Sequence, residues 1–461
     1  MSLDQSKLPI QTTIKYGSPE ATPDTTLERI LKDKLQRSTA FAVSEHAEAP
    51  RKPPPIAVIV FHGMGEQVKF QTLGDLAKSL LRFADAPIQT AVSLSRPADS
   101  FVTRAEISWH DNQTQRDYDV HLYEAYWAPL TEGQITYVET LKFLFTAAFK
   151  GIRHSRLGKV CTFERWMFGD TVHLPIGKKT KQSLIAVMLG LLVIVGSIAL
   201  VSFKLARLVK DFSTGNLDWT LIRHVLLVSN AHSLPVDILL SVLFWLAVAF
   251  SFAARYFIVE YVGDVAAYIS PFKASKFQAL RDTVQKVGND VASLVLGFTA
   301  APIPAYEKVI FVGHSLGSVL AYDTLNAMIN KDLTALEPHN VVERVRALIT
   351  FGSPLDKTAF LFRNQANTLS DPLREQMVAA SQPLILDYKF RNPEFKWTNI
   401  HAPQDVISGA LDYYDDAGHP AYASRRVINV VDHDAKIPLM AHVQYWNNPL
   451  LSTVLMDAIH S

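Results

Sequence analysis

Val309-Ile310-Phe311-Val312-Gly313-His314-Ser315-Leu316-Gly317-Ser318-Val319-Leu320-Ala321 decides how the rest of the 461-residue chain is read. The run Val309 to Val312 is apolar throughout and largely β-branched, which predicts a strand buried on both faces of a parallel sheet. Helical patterning resumes just past Gly317. Strand, tight turn and helix therefore follow one another without a linker. A serine at the apex of such a turn is pushed out of the chain, and side chains two residues to either side of it would collide. Gly313 and Gly317 remove that collision. The helix beyond supplies oriented N–H groups and the positive end of its dipole. Ser315 is the candidate nucleophile.

A second buried-strand run, Ile56-Ala57-Val58-Ile59-Val60-Phe61, ends abruptly in His62-Gly63-Met64-Gly65. Acyl transfer through a serine develops an oxyanion that needs two N–H donors. The backbone amides of Met64 and Leu316 are the candidates. His62, Gly63, Gly65, Gly313 and Gly317 support them by letting backbone approach the reacting centre.

A serine nucleophile also needs a base, and the base needs an orienting acid. In the strand–turn–helix arrangement the expected chain order is serine, acid, histidine. Asp405 lies in a loop just past the strand-like 396–400 and is the first choice for the acid, with Asp356, Asp432 and Asp434 as rivals. His442, opening the helical pattern near the C-terminus, is the expected base, with His433 as rival. His401 precedes Asp405 and fits the order poorly. His314 is expected to point away from the nucleophile and to be structural.

Further strands are expected near 101–109, 118–127, 345–351 and 426–431, and helices near 72–83, 276–296 and 318–329. Their alternation predicts an α/β architecture, a mainly parallel sheet flanked by helices. The expected divisions are a polar arm and Pro-rich linker over 1–54, a first part of the catalytic domain over 55–150, an insert over 151–260, and a second part over 261–461. A short helix is expected within the arm, where Thr25 and Glu28 have capping-box spacing.

Together, the 62–65 turn, the 313–317 turn, Phe351-Gly352-Ser353-Pro354-Leu355, the segment from Trp397 to Asp405, and Ala441-His442 with Tyr445-Trp446 resemble lipase- and esterase-like bacterial serine hydrolases of the α/β-hydrolase superfamily. The resemblance covers residues 56–130 and 260–450. It implies the α/β-hydrolase fold and ester hydrolysis through an acyl-enzyme, with neither metal nor cofactor. The segment Gly263-Asp264-Val265 with Tyr268 also resembles stretches of lipid-active relatives. A thioesterase, an amidase and a non-catalytic membrane scaffold retaining the fold are the competing expectations.

The insert is the departure from that family. Residues 183–203 carry no charge, and neither do residues 238–254, which are bounded by Asp237 and Arg255. Spanning hydrocarbon takes about 20 apolar residues. The expectation is a two-helix membrane hairpin with spans near 183–203 and 236–257. Arg153, Arg156, Lys159, Arg165, Lys178, Lys179 and Lys181 precede the first span, and the connector carries Lys204, Arg207, Lys210 and Arg223. Positive-inside reasoning places the catalytic domain on the cytoplasmic side. The opening residues, Met1-Ser2-Leu3-Asp4-Gln5-Ser6, lack the basic and apolar regions of a signal peptide, so insertion is expected to come from the internal segments.

Bulk composition agrees. Hydrophobic residues make up 48% of the chain, and the net charge of +1 offers no surface for nucleic acid. A single cysteine, Cys161, rules out an internal disulfide and a multi-cysteine zinc site. The expected partners are a lipid or other ester substrate and the bilayer.

Overall fold

The computed structural model describes residues 12–16, 54–64, 68–81, 89–95, 102–112, 114–131, 145, 178–213, 241–242, 244–246, 248–249, 268, 275–299, 304–358, 380–384, 393–405, 407–411, 414, 427–437 and 440–461. Nine strands form one sheet: β1 Thr12–Tyr16, β2 Ile56–Phe61, β3 Gln89–Ser95, β4 Val102–Asp111, β5 Arg116–Ala125, β6 Lys308–His314, β7 Val345–Phe351, β8 Lys396–His401 and β9 Ile428–Val431. Their order across the sheet is β1-β3-β4-β5-β2-β6-β7-β8-β9. From β5 to β9 every pairing is parallel. The other half is a meander, in which β3 pairs antiparallel with β4 and β4 with β5. The architecture is thus α/β, with a mixed and mostly parallel sheet.

Side chains on a strand alternate between faces, and β2 uses both. Ala57, Ile59 and Phe61 join one apolar core with Val309 and Phe311 of β6. Ile56, Val58 and Val60 join the opposite core with Ile310 and Val312. The first face is covered by helices Ser275–Val295 and Leu316–Leu333, and the second by Gln71–Leu81 and Pro449–His460. In chain order these are α1 (Gln71–Leu81), α3 (Ser275–Val295), α4 (Leu316–Leu333) and α6 (Pro449–His460). Helix α2 is Lys178–Ser213 and α5 is Ala441–Gln444. Because β2, β5, β6, β7, β8 and β9 point the same way, the loops after all six emerge along one carboxyl edge.

Most elements fall where the sequence puts them. β2 and β7 match the expected runs residue for residue, and α3 is displaced by one residue at each end. Two strands were not anticipated. β3 reads Gln-Thr-Ala-Val-Ser-Leu-Ser, too polar on one face to stand out, and its Ser93 hydroxyl is used by Glu106 of β4 (2.6 Å). β1 lies inside the stretch taken as a polar arm and pairs parallel with β3 at the sheet edge. The arm is therefore not wholly separate from the sheet. The short helix expected within it, Cys161 and Gly65 lie outside the described residues.

The expected membrane hairpin is not supported by the fold. Helix α2 runs 36 residues and covers the first expected span. Its side chains are described without interruption only over residues 188–199. Among the described residues, no helix is long and apolar enough to cross a membrane. Of the second span, near 236–257, only short helical pieces between 241 and 249 are described.

Phe311 is fully buried at the centre of the sheet, stacked on Phe61 with ring centroids 5.8 Å apart. A Phe311→Ala substitution should cost about 3–5 kcal/mol of stability through lost burial and the cavity left behind. Urea denaturation followed by far-UV circular dichroism would measure it.

Candidate active site

Ser315 sits where β6 becomes α4, with φ 53° and ψ −129°. A positive φ is rare for a residue with a Cβ, and the surroundings show what holds it. The Ser315 N–H donates to the Phe351 carbonyl (3.1 Å), and the Ser318 N–H donates to the Ser315 carbonyl (3.0 Å). The Ser318 hydroxyl also reaches that carbonyl (2.5 Å) and lies 2.6 Å from the Ser353 hydroxyl. Both flanking glycines are required by close approach. A Cβ on Gly313 would lie 2.5 Å from the Ser318 Cα, and one on Gly317 would overlap the carbonyl oxygens of Phe61 and His62.

The structure brings Ser315, His442 and Asp405 together from three separate loops. The Ser315 Oγ is 2.8 Å from His442 Nε2, and His442 Nδ1 is 3.0 Å from Asp405 Oδ2. A carboxylate only accepts, so Nδ1 is the donor in that bond, which is the tautomer in which Nε2 can accept from Ser315. Burial alone would push the Asp405 carboxyl up. Hydrogen bonding and charge attraction from His442, with the Ile407 amide (2.9 Å), outweigh burial and hold it well below the usual carboxylate range.

The rival residues are placed elsewhere. Asp432 accepts from the Asn448 amide (2.8 Å) and the Asp434 N–H (2.9 Å), and Asp434 pairs with Lys436 (3.4 Å). Asp356 lies beside Gly409, with Oδ2 3.3 Å from where a Cβ on that glycine would stand. His433 is exposed. The His401 carbonyl holds the Asp432 N–H (2.8 Å).

The turn after β2 lies against the serine. A Cβ on Gly63 would come within 3.0 Å of the Ser315 Cβ and 2.9 Å of His314 Nδ1. Met64 is buried, and Leu316 is the first residue of α4. His62 fixes the turn. Its Nε2 accepts from the Trp127 N–H (2.9 Å), which leaves Nδ1 to donate to the Gly63 carbonyl (2.7 Å). The Trp127 indole donates to the His62 carbonyl (3.2 Å) and stacks on its ring at 4.9 Å. His314 is turned towards the His442 backbone rather than towards the Ser315 hydroxyl. Its Nε2 donates to the His442 carbonyl (2.9 Å) while its ring stacks on Phe351, so it braces the loop that carries His442.

Sequence reasoning missed Tyr445. Its hydroxyl donates to Asp405 Oδ2 (2.9 Å), accepts from the Ala402 N–H (2.9 Å) and meets the Ser408 hydroxyl (3.0 Å). The available signal was its place one helical turn beyond His442, on the same side of the chain. Trp127 was missed as well, because nothing in the sequence ties it to His62. Among the described residues no His, Cys, Asp and Glu cluster could hold a metal. No protein-family model matches the chain, and no curated protein matches it.

Burial lowers the His62 pKa to about 4, partly offset by its bond to Gly63. Burial and then the charge of His442 lower that of His314 to about 3. Both rings stay neutral when folded and gain protons only on unfolding, so stability is lost as pH falls below the unfolded value of about 6.5. Each contributes a slope of up to roughly 1.4 kcal/mol per pH unit. The contribution of Asp405 is lost only below its unfolded pKa of about 3.9, outside this window. Urea midpoints should therefore fall steadily between pH 7 and pH 5. A flat profile would mean that these imidazoles protonate in the folded state without penalty.

Proposed function

We propose that this chain is a membrane-attached serine hydrolase of the α/β-hydrolase fold that cleaves carboxylic esters, with lipid esters as its substrate class. One observation carries the reading: the unbroken relay from Ser315 Oγ through His442 to Asp405, with spacings of 2.8 and 3.0 Å. Such spacing suits general-base activation of a hydroxyl nucleophile.

His442 Nε2 takes the Ser315 proton as Oγ attacks the ester carbonyl carbon. Asp405 keeps the imidazole in the tautomer that accepts at Nε2 and stabilises the imidazolium. The Met64 and Leu316 amides hold the oxyanion, and the N-terminus of α4 adds its dipole. His442 then protonates the alcohol as the acyl-enzyme forms. Water, deprotonated by the same histidine, attacks that acyl-enzyme; the carboxylic acid leaves and Oγ recovers its proton. No step calls for a metal or cofactor.

Two observations support an acyl substrate drawn from a bilayer. Helix α2 carries exposed large apolar side chains, among them Ile185, Leu189, Leu192, Val193 and Ile198. The segments flanking the insert are tied to the site: Trp127 holds His62, and the Tyr268 hydroxyl donates to Asp323 of α4 (2.7 Å). The basic residues before the first span favour a catalytic domain on the cytoplasmic face.

Fluorophosphonate probes label activated serines. The wild-type protein should be labelled and Ser315→Ala should not; undiminished labelling of the variant would remove Ser315 as nucleophile. Deleting residues 183–254 should abolish cleavage of phospholipid or acylglycerol in vesicles while sparing hydrolysis of a short soluble ester. Equal retention of both activities would sever the insert from substrate choice.

A further inference from the structure

We infer that Tyr445 is a positioning residue that sets the basicity of the Ser315–His442 pair through Asp405. The inference rests on the serine-hydrolase reading above and deepens it. Tyr445 is buried, and its hydroxyl gathers three partners from the loop after β8: Asp405 Oδ2 at 2.9 Å, the Ala402 N–H at 2.9 Å and the Ser408 hydroxyl at 3.0 Å.

The ionised Asp405 carboxylate only accepts, and the Ala402 N–H only donates. The Tyr445 O–H must therefore donate to Asp405. Its one proton is then committed, so the Ser408 hydroxyl donates to Tyr445. Each inward bond polarises the phenol and strengthens its bond to the carboxylate.

The acceptor atom matters. Tyr445 and His442 Nδ1 share the same oxygen, Oδ2, whereas Oδ1 takes the Ile407 N–H (2.9 Å). A phenol on Oδ2 draws off part of the negative charge that would otherwise face the imidazolium. It also clamps the Asp405 side chain to the helical segment that carries His442. The ring is fixed by its neighbours, edge-on to Phe351 at 6.1 Å and to His314 at 6.5 Å.

Other charged and titratable groups face this pair. The Lys357 ammonium donates to the Ile407 and Ser408 carbonyls (2.6 and 3.0 Å) and feels both Asp356 and Asp405. The His314 ring lies 5.0 Å from that of His442, with His62 acting on His314 from behind. A phenol-to-phenyl change leaves all of these groups in place.

Tyr445→Phe keeps the ring and removes only the hydroxyl. Its thermal unfolding should be compared with that of the wild type, and kcat/KM for a short p-nitrophenyl ester followed from pH 5 to 9. The expected result is a plateau lowered roughly tenfold through kcat, as for loss of one hydrogen bond to a charged group. The acid limb should move up by about 0.5–1 pH unit, because Oδ2 then faces the imidazolium with its charge undivided. Ser408→Ala should move the limb the same way by less, and it decides the matter if Tyr445→Phe does not fold. An unmoved acid limb in a folded variant, with or without a lowered plateau, would overturn the inference and leave Tyr445 as packing. Ser315→Ala, assayed alongside, separates the two levels. If it remains active, the serine-hydrolase reading fails; if it is inactive and the limb does not move, only the role of Tyr445 fails.

Discussion

The backbone at Ser315 is held in a region that a side chain normally avoids, with φ 53° and ψ −129°. Such a residue costs roughly 1–3 kcal/mol and persists only where its surroundings over-determine it. Here the surroundings are buried on both sides of the turn. β6 is buried along its whole length between β2 and β7, and α4 packs one buried face after another onto the sheet. Relaxing the turn would rotate either the strand or the helix out of register. The strain is therefore offset by the two apolar cores, and in return the hydroxyl is presented at the rim of the sheet. The His62–Gly63 turn rests on this serine, and the His442 loop is measured from it.

Around that fixed point lies a layer of buried polar groups whose charge states are set by pairing. A carboxylate as enclosed as Asp405 would be costly if it stood alone, since an uncompensated buried charge destabilises by several kcal/mol. Donors from His442, Tyr445 and Ile407 surround it, so it remains ionised. The neighbouring imidazoles solve the same problem the other way. His62 and His314 stay neutral, and each uses its ring to brace a loop, His62 the turn over Ser315 and His314 the backbone of His442. One ionised acid among neutral, fully bonded rings leaves His442 as the ring that meets the Ser315 hydroxyl.

Legibility followed burial symmetry. β2, β6 and β7 are buried on both faces, so their sequences are continuous apolar runs that can hardly be read otherwise. The turn at 313–317 was equally plain, because close approach demands glycine and only a strand–turn–helix demands it at that spacing. β1 and β3 escaped because they lie towards the sheet margin, where half the side chains are polar, as Ser93 and its bond to Glu106 illustrate. The order of Ser315, Asp405 and His442 along the chain could be anticipated, but their convergence depends on three loops meeting at one edge. The roles of Tyr445 and Trp127 were missed for a related reason. Their partners are backbone and side-chain atoms far away in sequence, and an aromatic residue near the C-terminus reads first as core.

Topology bears on why the insert and the site belong together. The chain leaves β5 at Ala125, level with Phe61 of β2, and so exits on the carboxyl edge beside Ser315. It must re-enter β6 at the opposite edge, because β6 runs parallel to β2. A helix has to make that return journey, and α3 is the one in place. Its contacts run in step with α4: Arg281 and Gln285 meet Asp323 towards the middle of both helices, and Ser293 meets Met328 and Lys331 nearer their ends. Since α4 begins at Ser315, α3 also begins at the carboxyl edge. The segment spliced between β5 and α3 therefore departs from and returns to the same rim that carries the relay. An insertion on the amino edge would lie remote from Ser315, whereas the loops after the six parallel strands share the rim at which it stands. Placed here, it can act on whatever approaches the serine without altering the order of the strands. The Tyr268 and Arg281 bonds to Asp323 tie the chain just before α3, and α3 itself, to α4.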